Sequence, residues 1–507
     1  MQIDERNGVR VLSADAPGPL TASLMFRVGR RDESFIGGGV THLVEHLVMA
    51  SLGRSHLDCN ASVDLTLTEF TATGRPEAVA DFLTRVCAAL RDVPTQRLAA
   101  EAGVLEAEGG MACHPLAGYL MSRRYGAVDV GLAGLREPAI PAITADAVRA
   151  WARTHFVTGN AVAWFSGPVP DGLDLTLPDG PARSPLAAAP PRVPLPYPVW
   201  VEHPHEDGVG LAFEVDADAV RAAHAPAADW DDQQFGVVAG MLCRLLEQRV
   251  EDDLRHGRGL SYEVGYHSAR AGAGVVHATV HADSRTRDAA VAATVLVGAL
   301  RAIAEAGPQQ ADLDFDLEGL REFVADPRAV LAALDDAATR LLHGVALESD
   351  EQLVARHDRV SAADVAAVAR VALPTMLLGV PEGVRPQVPG VAEEPDDWQS
   401  PVTGREHGRR FRSDAPRGSS LVVGDAGITL RLPTGLRTVR WDDVIGLGRH
   451  PEGYYRLSRS DGNTIPLDAR DWKDGDAVIA TVLARVPESL RYDEPAEDHH
   501  PGDGHDH

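Results

Sequence analysis

The chain has 507 residues, 44% hydrophobic and 24% charged, which is a soluble globular composition with room for three domains of ordinary size. Its formal charge of −26 argues against nucleic acid or an anionic membrane as partner, since both require a positive surface, and leaves basic peptides open. No apolar run reaches the length that crosses a bilayer, and the polar start Met1-Gln2-Ile3-Asp4-Glu5 lacks the basic and apolar regions of a signal peptide; a cytoplasmic protein without a membrane span is expected. The four cysteines, Cys59, Cys87, Cys113 and Cys243, have no paired spacing and read as free thiols of a reducing compartment. One lysine, Lys473, against 47 arginines reads as the codon bias of a GC-rich bacterial genome.

In chain order, residues 22–29 alternate as a strand does and end at Gly29 and a polar run over 30–33. Three glycines, Gly37, Gly38 and Gly39, then lead into Thr41-His42-Leu43-Val44-Glu45-His46, an uninterrupted H-x-x-E-H. On a helix, positions i and i+4 aim two imidazoles at one metal, and i+3 places a carboxylate beside the open coordination position. The spacing thus offers His42 and His46 as zinc ligands and Glu45 as general base. Catalytic zinc takes a third protein ligand. About sixty residues on, Glu101 and Glu108 are seven apart and share a helix face, with Glu106 off that face as the alternative ligand.

On these two motifs the sequence resembles the pitrilysin, or M16, family of zinc metallopeptidases, whose pattern is H-x-x-E-H followed by a distal E-x6-E. The resemblance implies one zinc per chain, with Glu108 as third ligand and Glu101 as its outer partner. It also implies an α+β fold, in which two homologous M16-type α/β domains, each an antiparallel-rich sheet packed with helices, precede whatever follows. Between the motifs, the stretch from Asn60-Ala61 to Phe70 is similar to the family's N-A-x-T…T-x-Y segment, with Phe70 in place of tyrosine. In the family this is an edge strand to which extended substrate adds by backbone pairing, which makes Asn60 and Ala61 candidate substrate-binding residues. The gap from His46 to Glu108 is shorter than the family norm, because Ser51 to Asp58 leaves no room for the helix that normally precedes this strand.

Further on, Leu254-Arg255-His256-Gly257-Arg258-Gly259-Leu260-Ser261-Tyr262 is similar to the family's L-R-x3-G-L-x-Y motif, whose arginine and tyrosine help to hold substrate opposite the zinc. Residues 260–266 alternate as a strand, so Arg255 and Tyr262 are expected to face a chamber. The halves repeat each other. A capped helix from Thr144 runs into an apolar strand at 160–167, and another from Ser361 runs into an apolar strand at 376–381. The expected domains are 1–170 with the zinc motif, a Pro-rich linker at 171–197, and 198–383 with the R-x6-Y motif.

A second linker is expected at 384–417, within an exposed stretch rich in Pro, Glu and Arg, and a small β-rich domain at 418–490. Short alternating strands at 428–432, 439–441, 455–458 and 464–467, with a closing helix at 476–486, are similar to a bacterial PH-like domain with an interaction role. Trp441-Asp442-Asp443-Val444-Ile445 is similar to a W-x-D-I strand of such modules. The tail, 491–507, interleaves His499, His500, His505 and His507 with aspartates; it either holds zinc loosely or is a disordered acidic tail.

The leading expectation is a zinc endopeptidase acting on peptides or unfolded polypeptides in a closed chamber, as a homodimer or with another M16-type subunit. Its rival is a catalytically silent scaffold or substrate-gripping subunit of a heterodimer. A zinc carrier working through the tail would leave Glu45 without a purpose.

Overall fold

The computed structural model describes residues 1–109, 113–135, 137, 139–183, 186–395 and 397–494. The first half comprises β1 (Gln2–Arg6), β2 (Val9–Ser13), β3 (Leu20–Phe26), α1 (Val40–Leu52), β4 (Asp58–Val63), β5 (Thr68–Gly74), α2 (Pro76–Arg91), α3 (Leu98–Glu108), α4 (Pro115–Tyr125), α5 (Ala145–His155) and β6 (Ala161–Phe165). Its sheet runs β1-β2-β6-β3-β5-β4, antiparallel except for the β2–β6 pair. Every residue of β6 is buried, because both faces of the sheet are covered. Ala161, Ala163 and Phe165 join the core under α1, α2 and α5, whereas Val162 and Trp164 point to the opposite face. Only five residues separate α1 from β4, so the helix expected to be missing is missing.

The second half comprises β7 (Val199–His203), β8 (Val209–Asp216), α6 (Ala217–Ala223), α7 (Asp232–Glu251), β9 (Val264–Gly272), β10 (Val275–Ala282), α8 (Ala289–Ala306), α9 (Gln310–Ala325), α10 (Ala329–Leu342), α11 (Asp350–Asp358), α12 (Ala362–Ala372), β11 (Leu377–Pro381) and β12 (Ala392–Glu393). Its sheet order, β12-β7-β11-β8-β10-β9, repeats the first in its inner pair, β7–β11, which is parallel, and in the antiparallel strands β8, β10 and β9 beyond β11; the edge pair β12–β7 differs, being parallel where β1–β2 is antiparallel. The repeat extends to the capped helices. Thr144 caps α5 before β6, and Ser361 caps α12 before β11.

Each half lends a helix to the other. Leu116 and Leu120 of α4 pack on Val199, Val201, Ala212 and Leu377 of the second sheet. Leu334, Ala337, Ala338 and Leu342 of α10 pack on Leu12, Met25, Val162 and Trp164 of the first. Two helical stretches, Phe35–Leu52 and Thr286–Ala306, do reach the length and apolarity of a membrane span, contrary to expectation, but α1 and α8 within them form core walls of the two halves.

The C-terminal domain has two four-stranded sheets. Strands β13 (Arg405–Gly408), β14 (Ser420–Gly424), β15 (Gly427–Leu432) and β16 (Gly435–Arg440) make one, in sequence order. The other combines β17 (Val444–Arg449), β18 (Tyr455–Arg459) and β19 (Thr464–Leu467) with β20 (Arg491–Asp493), which pairs in parallel with β17. Between them α13 (Gly475–Arg485) contributes Val478 and Val482 to a shared core. Three local expectations differ from this arrangement. The stretch read as a second linker supplies β12 and β13, Trp441 lies in a 3-10 turn ahead of β17, and β9 starts at Val264, leaving Tyr262 in the preceding turn. The first linker is extended but anchored, since Leu173, Leu175, Leu177, Val193 and Leu195 are buried.

Candidate metal centre

Helix α1 starts from a strained, closely packed turn. Gly39 has φ +88, and a Cβ there would lie 2.7 Å from the Ile140 side chain, so both conformation and space demand glycine. The exposed amides of the first turn are met by a side chain six residues upstream: Glu33 accepts from Gly39 N at 2.7 Å and from Thr41 N at 2.9 Å. Glu33 is buried and lies 3.6 Å from Arg30, whose guanidinium also donates to the Leu132 and Leu135 carbonyls and pairs with Glu137. Trp151 of α5 donates to Thr41 Oγ1 at 3.0 Å. Leu43 packs on Ala102 and Leu105, which sets α3 against α1.

This register brings the two motifs together. Nε2 of His42 and of His46 lie 3.9 and 3.6 Å from Glu108 Oε2, and the three donor atoms all fall within 4.8 Å of one another. A tetrahedral zinc with bonds of about 2.0–2.2 Å holds its ligands about 3.3–3.5 Å apart, so an N, N, O set at these separations fits the ion with small side-chain adjustments. Glu45 Oε2 is 3.6 Å from His42 Nε2 and 3.7 Å from His46 Nε2, on the same ground as the donors. Glu106 is exposed and outside the cluster. Glu101 is buried, and its carboxylate lies 3.5 Å from His46 Nδ1.

Burial, with the charges of Glu108 and Glu101, pushes the Glu45 carboxyl up to about 8. Burial first, then His46 and Arg30, lowers His42 to about 4, which leaves it neutral and able to ligate at neutral pH. Glu33 is raised to about 7 by burial, against the opposing pull of Arg30 and its hydrogen bonds to Thr41 and Gly39.

The remaining residues singled out from sequence lie apart. Asn60 and Ala61 sit on β4, the outermost strand of the first sheet, with its far edge unpaired among the described residues. Phe70 is fully buried, edge-on to Phe26, where a tyrosine hydroxyl would have no water to reach. Arg255 occupies a π-helical turn, Asp252–Gly257, bonded to Glu251 at 2.6 Å and lying 5.3 Å from the Tyr262 ring; Tyr262 is 78% exposed. The pair keeps together but touches none of His42, Glu45, His46 or Glu108 among the described residues. The histidines of the tail lie outside the described residues. Glu33 and Arg30 went unnoticed in the sequence, because a carboxylate six positions before the first helical turn matches no local capping pattern.

A family model described as "Bacterial PH domain" matches residues 418–488. No curated protein matches the chain. Among solved structures, a protease from Helicobacter pylori is similar at TM-score 0.58 and 14% identity, over 75% of this chain and 98% of that one. A "peptidase M16 inactive domain" from Pseudomonas fluorescens is similar at TM-score 0.58 and 18% identity, over 76% and 99%. The periplasmic protease PqqL from Escherichia coli aligns at TM-score 0.55 and 15% identity over 87% of this chain but 56% of its own length. The paired halves of this chain therefore have the M16 peptidase fold, followed by a bacterial PH domain.

Proposed function

We propose that the chain is a zinc-dependent endopeptidase that hydrolyses peptides or unfolded polypeptides within a clamshell chamber. The observation that carries this reading is the convergence of His42, His46 and Glu108 within 4.8 Å, with the Glu45 carboxylate beside both imidazoles. When bound, zinc supplies a Lewis acid that acidifies water and polarises the scissile carbonyl. Glu45 Oε2 takes the proton of the attacking water and returns it to the leaving nitrogen. Glu101 holds His46 in the tautomer that keeps Nε2 free for the ion. The free edge of β4, with Asn60 and Ala61, pairs with an extended substrate. Arg255 and Tyr262 steady the substrate from a second M16-type subunit, a copy of this chain or a relative. The free cysteines favour the cytoplasm as its compartment.

The test is to load purified protein with zinc and to follow cleavage of an unstructured peptide by mass spectrometry, with Glu45→Gln as control. One zinc per chain with Glu45-dependent cleavage supports the proposal. One zinc without cleavage, at any peptide length, supports the second reading, a silent subunit; the similarity to an inactive M16 domain favours that alternative.

A further inference from the structure

The C-terminal domain touches the protein body where α1 is held. Phe35, two residues after Glu33, meets Tyr492 of β20 edge-on, with ring centroids 6.5 Å apart. The same ring lies against Gly446 of β17, where an added Cβ would stand 3.0 Å from it. A second contact lies nearby. Ala127 N donates to Ser460 O at 2.6 Å, Gly126 would bring a Cβ within 2.2 Å of that oxygen, and Leu135 abuts Gly462. Leu132 and Leu135, whose carbonyls bind Arg30, belong to this gripped segment. The domain therefore meets the stretch 30–39 directly at Phe35 and indirectly at Arg30, through the segment 126–135. Between the two grips Glu33 reaches the Gly39 and Thr41 amides.

The geometry points to Glu33 as a positioning residue for the metal helix, and to the PH domain as the brace that holds Glu33 in register through Phe35 and the segment 126–135. This rests on the reading of α1 as the metal helix. His42 sits in the first turn of α1, next to the capped Thr41 amide, so a tilt of that turn moves one ligand relative to Glu45 and His46 in the next turn and to Glu108 on α3. Displacements of about 1 Å at such sites cost on the order of a hundredfold in rate. Among the described residues the domain contributes no ligand to the donor cluster; its effect is on alignment.

The experiment uses the full chain. Gly446 has no left-handed φ, so Gly446→Val is compatible with its backbone and acts by displacing both rings of the contact, Phe35 at 3.0 Å and Tyr492 at 3.2 Å from the added Cβ. In the metal-free protein, hydrogen exchange over residues 39–46 is expected to speed up at least tenfold, with α7 unchanged. After zinc loading, loss of metal to a chelator is expected to quicken roughly tenfold, the lower end of what outer-shell changes produce. kcat is expected to fall with KM unmoved. Phe35→Ala reaches the same contact from the other side and serves if the valine unfolds the domain. Glu33→Ala is expected to reproduce the exchange and metal-loss effects, with partial rescue by Glu33→Gln, whose amide oxygen still accepts. Wild-type exchange over 39–46 in both Phe35→Ala and a folded Gly446→Val overturns the brace. Because that exchange is measured without metal, a wild type that binds no zinc would defeat the peptidase reading and leave this outcome legible.

Discussion

Glu101 and His46 face each other along the side of the imidazole that points away from Glu108: Glu101 Oε2 lies 3.5 Å from Nδ1, and Glu108 Oε2 lies 3.6 Å from Nε2. Glu101 is itself fixed, accepting from Arg97 Nε at 2.8 Å. A carboxylate on Nδ1–H commits the ring to the tautomer whose Nε2 lone pair faces the ion and makes that nitrogen a better donor. Removing Glu101 should therefore weaken zinc without removing a ligand. For Glu101→Gln, competition against a chromogenic chelator is expected to show a loss of roughly tenfold to a hundredfold in affinity. Unchanged affinity in a folded variant would deny Glu101 this role.

Glu45→Gln is expected to abolish peptide hydrolysis, by about a hundredfold or more, while metal content stays near one zinc per chain, because the change removes the base and leaves all three donors. Metal analysis alongside the peptide assay checks it. A variant that loses zinc would show that Glu45 is a ligand.

Glu108→Gln should lower both zinc affinity and activity, whereas Glu106→Gln should alter neither, since Glu106 is exposed and outside the donor cluster. The two proteins, titrated side by side, test the register of α3. The reverse result would mean that the helix is read one turn fraction out of phase.

What could be read from sequence follows from how local each signal is. H-x-x-E-H and E-x6-E declare themselves because helical spacing alone puts their side chains on one face, and the paired capped helices at Thr144 and Ser361 betray the repeat for the same reason. Strands fixed by distant partners were harder. Arg405–Gly408 is charged and looks like linker, yet it pairs with Ser420–Gly424 across a long loop, and His407 is buried against the Lys473 carbonyl. The alternation around Tyr262 predicts a strand, but Asp283, just after β10, accepts from the Tyr262 and Glu263 amides and from the Ser261 hydroxyl, which holds the chain in a turn. The brace on residues 30–39 involves residues more than four hundred positions away, and no local pattern encodes such a contact.

Glu33 also predicts a pH dependence. Its carboxyl is raised from 4.5 to about 7 in the folded, metal-free protein, so between those values the folded state holds a proton that the unfolded state has released. Stability from this group is then lost as pH rises through that window, and the penalty is fully present above about 7. Glu33→Gln cannot titrate. Relative to wild type, the variant's unfolding midpoint in urea is expected to rise progressively from pH 4.5 to 7 and to level off above. A difference that does not vary with pH would mean that Glu33 ionises normally.

The last prediction concerns which chain supplies Arg255 and Tyr262. They stay together, with the guanidinium 5.3 Å from the ring, yet Tyr262 is 78% exposed, and among the described residues Arg255 is bonded to Glu251 and not to the donor cluster. If two copies close on each other, each zinc site would combine His42, Glu45, His46 and Glu108 of one chain with Arg255 and Tyr262 of the other. Glu45→Gln and Arg255→Ala proteins, each nearly inactive, should then complement when mixed under conditions of subunit exchange. About half of the dimers would be mixed, and each would hold one intact site and one doubly damaged site, restoring roughly a quarter of wild-type sites. Activity near that level supports a shared site. If native mass spectrometry shows exchange and activity stays at the level of the separate variants, the symmetric dimer fails, and the pair either acts within its own chain or meets a different subunit.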